Sequence, residues 1–332
     1  MKNIIIFPGQ GYQNMGMLTS EVQQFCNQNG LYTVVDEVLR DNSKLFDTQY
    51  AQPLIVATQL AEYERYKRSM GEEKDTIFLG FSLGEITALI ASNTISVEEG
   101  IKFAMRRGEE SKKITQIPGK EGVQQTAYGV VKLPYTTALQ NCIEEWNNKH
   151  LKGQRVDITN YLPRAGTVCD NQIQEDVTIT GEYEMLKDNL EVFGGEPNQK
   201  MAKMQCPFHS IALDGLVPIQ KEIFRKTITD INTSKIHQVY STRTGEFYSS
   251  DLEKEDLSEA LARYIVEPIQ TTKTLRDINE QYNDGNIVVM MGEEFTNTLK
   301  KQYQAIGGDP EKINFIGDYQ LAKRQDSLTH DK

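Results

Sequence analysis

Residues 79–85 read Leu-Gly-Phe-Ser-Leu-Gly-Glu, and Gly80, Ser82 and Gly84 within them have the G-x-S-x-G spacing of a nucleophile elbow. An apolar pair, Ile77 and Phe78, precedes the motif, and a run of helical composition, 86–91, follows it. The turn from strand to helix is so tight that a side chain at either glycine would clash with the neighbouring element. Ser82 then stands at a helix N-terminus, where free N–H groups and the helix dipole favour a developing oxyanion. A serine is a weak nucleophile and needs a base within hydrogen-bond reach. The chain has four histidines: His150, His209, His237 and His330. His150 lies in a polar run, His330 in the polar C-terminal stretch, and His237 opens an apolar strand where a structural role is the ordinary one. His209, in Cys-Pro-Phe-His-Ser at 206–210, falls in a junction between structural units and is the candidate base. A buried structural histidine stays open as the alternative.

A chain of 332 residues can bury a sizeable core in one large domain or two modest ones. Its net charge of -11 argues against a nucleic-acid surface, because phosphate affinity comes from clustered Lys and Arg. No apolar run approaches the roughly 18 residues that a membrane span needs. The N-terminal run, 1–7, has one basic residue and too short an apolar stretch for a signal peptide, and reads as a buried strand. Cys26, Cys142, Cys169 and Cys206 are widely spaced with no C-x-x-C pair. They read as reduced thiols of a cytoplasmic protein, with no metal site and no tightly bound cofactor.

The elements that must hold Ser82 and His209 alternate. Strands are expected at 4–7 and 77–79, with helices at 21–28, 32–39, 52–67, after Ser82, and from the Ser96/Glu99 capping box to about Lys113. This is an α/β pattern with a largely parallel sheet. Breakers at 117–122 change the texture. The next stretch reads as strand 126–131, helix 135–147, strands 156–159 and 177–180, helix 182–193 and strand 202–205. The order β-α-β-β-α-β is that of a ferredoxin-like unit, with 160–176 as a hairpin extension or surface loop. The α/β pattern then resumes with helix 211–226, strand 237–241, a helix at 257–267 stopped by Pro268, strand 286–291 and helix 297–306. The expected units are therefore 1–123 with 206–318, 124–205 as the insert, and a polar tail from 319 to 332.

Three motifs together resemble the malonyl-CoA:acyl-carrier-protein transacylases of fatty-acid synthesis and the related acyltransferases of polyketide synthesis. Residues 7–17, Phe-Pro-Gly-Gln-Gly-Tyr-Gln-Asn-Met-Gly-Met, are similar to that family's F-P-G-Q-G-S-Q-x-x-G-M start. Residues 80–85 are similar to G-H-S-L-G-E, and Pro207 to Ser210 to P-F-H-S. The resemblance covers nearly the whole chain and implies an α/β-hydrolase-like large subdomain with an inserted ferredoxin-like small one. It also implies a ping-pong acyl transfer. Ser82 attacks the thioester of malonyl-CoA with His209 as base, the N–H groups of Gln10 and Leu83 hold the oxyanion, and the phosphopantetheine thiol of an acyl carrier protein accepts the acyl group. The carbonyl of Gln270, in Pro-Ile-Gln at 268–270, is expected to orient the histidine. Arg107, 25 residues after Ser82, matches the family's R-G pair, whose guanidinium can hold a malonyl carboxylate bidentately.

Some positions depart from the family pattern. Phe81 replaces the usual histidine and Tyr12 a serine; both alter the surroundings of the acyl group. Asn160 begins a segment similar to the family's N-x-N…V-x-I-x-G but lengthened by 162–174. Phe208 before the histidine is like malonyl-selective members, while hydroxymalonyl or aminomalonyl units stay open. No ketosynthase or carrier domain fits in the remaining length, so the expected enzyme acts in trans, in polyketide or mixed peptide–polyketide synthesis. A housekeeping fatty-acid transacylase and an editing acyl hydrolase are the alternatives, the latter dispensing with Arg107. A non-catalytic carrier-binding module would not need Ser82. A carrier-docking patch is sought at Lys112 and Lys113 or at 200–203.

Overall fold

In the computed structural model, residues 2–70, 75–114, 116–119, 122–125, 127–169 and 172–316 are described. The expected strand start at 126 and the polar tail lie outside them. The strands are β1 Asn3–Phe7, β2 Thr76–Gly80, β3 Gln116–Gly119, β4 Gly122–Gln125, β5 Tyr128–Pro134, β6 Asp157–Cys169, β7 Gln172–Glu182, β8 Ala202–Met204, β9 Val239–Ser241, β10 Glu246–Phe247, β11 Asn286–Val289 and β12 Ile313–Phe315. The helices are α1 Ser20–Gln28, α2 Tyr32–Arg40, α3 Thr48–Met70, α4 Gly84–Ala91, α5 Val97–Ile114, α6 Thr137–Lys149, α7 Tyr183–Asp188, α8 Val217–Thr227, α9 Lys254–Arg263, α10 Thr271–Gln281 and α11 Glu293–Ala305.

The larger sheet has the order β10-β9-β2-β1-β11-β12 and is parallel except at β10. All five residues of β1 are buried, as a central parallel strand with both faces covered requires. From β1 the chain first adds β2 on one side and later β11 on the other. The connections therefore diverge at β1, and the crevice beyond the carboxyl ends of these strands is where a parallel α/β sheet places its site. Helix α3 fills one face with Leu54, Ile55, Val56 and Ala57, all fully buried. Each large apolar side chain so buried contributes about 1.5–3 kcal/mol.

The second sheet has the order β6-β7-β5-β8, antiparallel throughout. With α6 and α7 between its strands, this is the ferredoxin-like order expected from the sequence. The β6–β7 pairing continues past Asn160 to Cys169 opposite Gln172, with register shifts, so the described residues there form a hairpin extension. The second sheet meets the segment between α9 and α10 where Asn160 bridges Ile269, with Tyr161 N donating to Ile269 O (2.9 Å) and Ile269 N to Thr159 O (2.9 Å).

Several boundaries move. The described residues among the expected breakers at 117–122 lie in β3 and β4, which pair antiparallel. The helix expected over 182–193 stops at Asp188 and continues as a 3-10 turn, and 211–216 is likewise 3-10, because Pro218 suits a helix's first turn and starts α8 there. Helix α3 opens at Thr48, before Pro53, so Pro53 lies inside the helix and leaves Gln49 O without its i+4 donor. Helix α10 and the short strands β10 and β12 had no clear periodic signal.

Candidate active site

Ser82 sits at φ 53°, a left-handed conformation costly for any residue with a Cβ and typical of a strained functional turn. The flanking glycines make that turn possible. A Cβ on Gly80 would lie 2.1 Å from Glu85 N, and one on Gly84 would lie 2.0 Å from Phe7 O. The Pro8-Gly9-Gln10 loop leaves β1 directly over the elbow, so that a Cβ on Gly9 would stand 3.2 Å from Ser82 Cβ. Among the described residues no hydrogen bond engages the backbone N–H of Gln10 or of Leu83. Two free donors thus flank the nucleophile, as an oxyanion requires.

His209 also has positive φ, 68°, with its N–H held by Ile265 O at 2.7 Å. Its Nε2 is 2.7 Å from Ser82 Oγ, and its Nδ1 is 3.0 Å from Glu267 O. Nδ1–H donates to that carbonyl, leaving Nε2 as the acceptor that faces the serine. The orienting carbonyl is therefore Glu267's, and the expectation for Gln270 is corrected. Gln270 is the N-cap of α10, and its carbonyl accepts from Thr274 N (2.9 Å), as an N-cap carbonyl does. Helix α9 ends at Arg263, short of the expected 267, and Pro268 has no N–H with which to extend it. The carbonyl before the proline is left to the imidazole. Ser210, next to the base, donates to Asp157 Oδ2 (2.5 Å) at the start of β6 and so docks the histidine loop on the second sheet.

Burial pulls the His209 imidazole down to about 4; the Glu267 carbonyl opposes this and the Arg107 guanidinium adds to it. The imidazole is thus neutral at physiological pH. Arg107 is itself buried, donating from Nη1 to Gln52 Oε1 (2.8 Å) with its guanidinium 5.3 Å from the Phe208 ring centre. No carboxylate of the described residues pairs with it. Burial lowers its pKa to about 10, which still leaves it charged. Gly108 allows this approach of α5 to α3, because a Cβ there would lie 2.5 Å from Thr48 O.

Gln10 and Phe208 line one cleft of about 350 Å³ together with Thr48, Lys203 and Cys206. Phe81 and Asn160 line another of about 450 Å³, floored by Tyr12 and Phe295 in edge contacts of 5.1 Å (Tyr12–Phe295) and 5.4 Å (Phe81–Phe295). Asn160 Oδ1 accepts from Thr271 Oγ1 at 2.7 Å. The structure thus gathers Ser82, His209, Gln10, Leu83, Arg107 and Phe208, and sets Phe81 and Asn160 on an adjoining cleft.

A family profile described as "Acyl transferase domain" matches residues 4–133. Malonyl CoA-acyl carrier protein transacylase of Bacillus subtilis (strain 168) is 24% identical over 331 residues, covering 94% of this chain and 95% of the relative. Over nearly its whole length the chain is similar to malonyl CoA-acyl carrier protein transacylases. The fold agrees with solved structures. Malonyl CoA-acyl carrier protein transacylase from Clostridium perfringens superposes with a TM-score of 0.72 at 20% identity, covering 100% of both chains. A malonyl-transacylase in complex with a type II PKS acyl-carrier protein superposes at 0.71 with 18% identity and 95% of each chain covered.

The candidate site also holds residues that motif reading missed. Ser82 N donates to Tyr264 Oη (3.1 Å), Tyr264 Oη is hydrogen-bonded to Thr242 Oγ1, and Thr242 Oγ1 donates to Gly80 O (2.9 Å). The Tyr264 ring meets His209 edge-on at 5.1 Å, so one side chain braces both members of the pair. Glu85, fully buried behind the elbow, accepts from Ser241 Oγ (3.0 Å) and Tyr248 Oη, and burial pushes its carboxyl up to about 7. Of the lysines sought for docking, Lys112 pairs with Asp47 (2.5 Å) and Lys113 with Glu110 (2.6 Å), while Lys203 lies over the Tyr183 ring at the mouth of the first cleft. Among the described residues no helix is long and apolar enough to cross a membrane, and no cluster could hold a metal ion.

Proposed function

We propose that this chain carries a malonyl group from malonyl-CoA through an acyl-Ser82 intermediate to the phosphopantetheine thiol of an acyl carrier protein. Ser82 Oγ attacks the thioester carbonyl while His209 Nε2 takes its proton, and the oxyanion is held by the N–H groups of Gln10 and Leu83. Collapse breaks the C–S bond, and the imidazolium returns the proton to the departing CoA sulfur. In the second half the carrier's thiol gives its proton to Nε2 as sulfur attacks, and Ser82 leaves reprotonated. The Glu267 carbonyl stabilises the imidazolium in both halves.

The single observation that carries the malonyl assignment is Arg107, a buried guanidinium with no carboxylate partner among the described residues, beside Phe208 and the catalytic histidine. A buried charge of this kind is costly alone and is favourable once a carboxylate meets it. The relatives are malonyl transacylases by name, and one solved neighbour is held in complex with its acyl-carrier protein. An editing hydrolase gains nothing from Arg107. We further assign the chain to polyketide or mixed peptide–polyketide synthesis, acting in trans, with fatty-acid synthesis as the alternative. The Tyr12–Phe295–Phe81 aromatic floor and the type II PKS neighbour support this. The proposed units are 1–123 with 206–318 and 124–205, and the proposed carrier-facing lysines are Lys200 and Lys203.

Intact-protein mass spectrometry tests the reading. Malonyl-CoA should give one malonyl adduct, absent in Ser82→Ala, that transfers to an added holo carrier protein. Release of the adduct to water at the same rate with and without the carrier would sink it in favour of the hydrolase. Carriers of the fatty-acid and polyketide types offered in competition decide the pathway.

A further inference from the structure

Arg107, Gln52, Thr48 and Gln10 form one continuous run of side-chain hydrogen bonds. Arg107 Nη1 donates to Gln52 Oε1 (2.8 Å), Gln52 Nε2 to Thr48 Oγ1 (3.0 Å) and Thr48 Oγ1 to Gln10 Oε1 (3.2 Å). Thr48 and Gln52 lie one turn apart on α3, with exposures of 1% and 0%. We propose that this run fixes the Gln10 carboxamide with its N–H groups toward the substrate cleft, making Gln10 a specificity-determining donor for carboxylate-bearing acyl groups. The inference rests on the acyl-transfer reading above.

The direction of each bond follows from the one before. A guanidinium can only donate, so Gln52 must turn its oxygen to Arg107 and its NH₂ to Thr48. The Thr48 oxygen is then an acceptor, and its single proton needs a partner of its own. Thr48 is buried, and Gln10 Oε1 is the acceptor that the described residues offer that proton. Were the Gln10 amide reversed, two N–H groups would point at one hydroxyl oxygen and the Thr48 proton would be orphaned in the interior. The charge on Arg107 thus sets the Gln10 amide three bonds away. Gln10, Thr48 and Phe208 line one cleft, and the Gln10 amide nitrogen is the group that the relay leaves over for a ligand there. Because the same residue's backbone N–H flanks Ser82, Gln10 joins the oxyanion site to the carboxylate site. An acyl group with a distal carboxylate meets donors at both ends, and an acyl group without one leaves the side-chain amide and the guanidinium unanswered.

The test uses Thr48→Val, which keeps the shape and removes the relay, and Thr48→Ser, which keeps the hydroxyl. Single-turnover acylation of the full chain is followed with malonyl-CoA and acetyl-CoA. The malonyl-over-acetyl ratio of kcat/KM should fall about tenfold in Thr48→Val, mainly through KM for malonyl-CoA, and return in Thr48→Ser. An unchanged ratio, or equal loss with both donors, overturns the proposal. Side-chain amide hydrogen exchange reads the relay with no acyl donor present. Gln52 Nε2 protons should be protected in the unaltered protein and exposed in Thr48→Val, while Gln10 Nε2 protons exchange freely. Protected Gln10 Nε2 protons would mean the opposite amide orientation and also overturn it. If the unaltered protein takes no malonyl group, the transfer reading fails by itself, and the exchange pattern still reports on the relay.

Discussion

Replacing Arg107 by Met separates a ligand-binding arginine from a structural one. In the free protein the guanidinium is buried, hydrogen-bonded to Gln52 and stacked near Phe208, with no anionic partner among the described residues. Methionine has similar length and fills the same space without charge. Replacing a buried charge by an apolar side chain is often neutral or stabilising by about 1–4 kcal/mol. Against this, Gln52 Oε1 loses its donor, which costs about 1–3 kcal/mol if it finds no other. The two effects nearly cancel, so the unfolding midpoint in denaturant should change little. For malonyl transfer the loss is one-sided. Removing one partner of a buried charge pair costs about 3–5 kcal/mol, which is a factor of roughly a hundred to a few thousand in kcat/KM. The assays are equilibrium unfolding together with acylation rates for malonyl-CoA and acetyl-CoA. The expected result is a collapse of malonyl transfer with acetyl transfer retained or improved. A protein that unfolds easily and loses both activities in parallel would refute the reasoning, because Arg107 would then be holding the fold together.

Two further outcomes follow from the same geometry. Tyr264→Phe removes the hydroxyl that receives Ser82 N–H, at a cost of about 1–3 kcal/mol for the orphaned donor; kcat should drop roughly tenfold with KM nearly unchanged, whereas a KM effect alone would mean that Tyr264 does not brace the elbow. The pH profile of acylation should show its acid limb near 4, because burial and then Arg107 hold the His209 pKa down and the neutral imidazole is the active form. Removing the Arg107 charge should move that limb upward by only part of the gap to the ordinary value, because burial, the larger cause, stays; a limb near 6.5 in the unaltered protein would show that the imidazole is solvated. The same shift bears on stability: with its folded pKa below the unfolded value, His209 leaves folding unpenalised above about 6.5, and stability falls as the pH drops from there toward 4.

The nucleophile elbow was legible in the chain because its spacing is local: Gly80 is dictated by a clash with Glu85 five residues on, although the clash that dictates Gly84 is with Phe7 on the neighbouring strand. The alternation of elements around it, and the β-α-β-β-α-β order of the insert, were legible for the same reason, since periodicity is written in neighbouring residues. His209 was singled out among four histidines by its place at a junction, and Arg107 by motif likeness, and their types constrained their chemistry. The carbonyl that orients His209 was not legible. Glu267 and Gln270 lie three residues apart on either side of Pro268, and only the end of α9 at Arg263 and the start of α10 decide which carbonyl stays free. Tyr264 is 182 positions from the serine it braces, and Thr48 is 38 from Gln10. Such polar contacts leave no periodic trace, because a single hydrogen bond between distant segments constrains two residues and nothing between them. Local sterics and repetition determine elements from sequence. Buried hydrogen bonds are assigned only when folding brings donors and acceptors together and removes the water that would otherwise satisfy them.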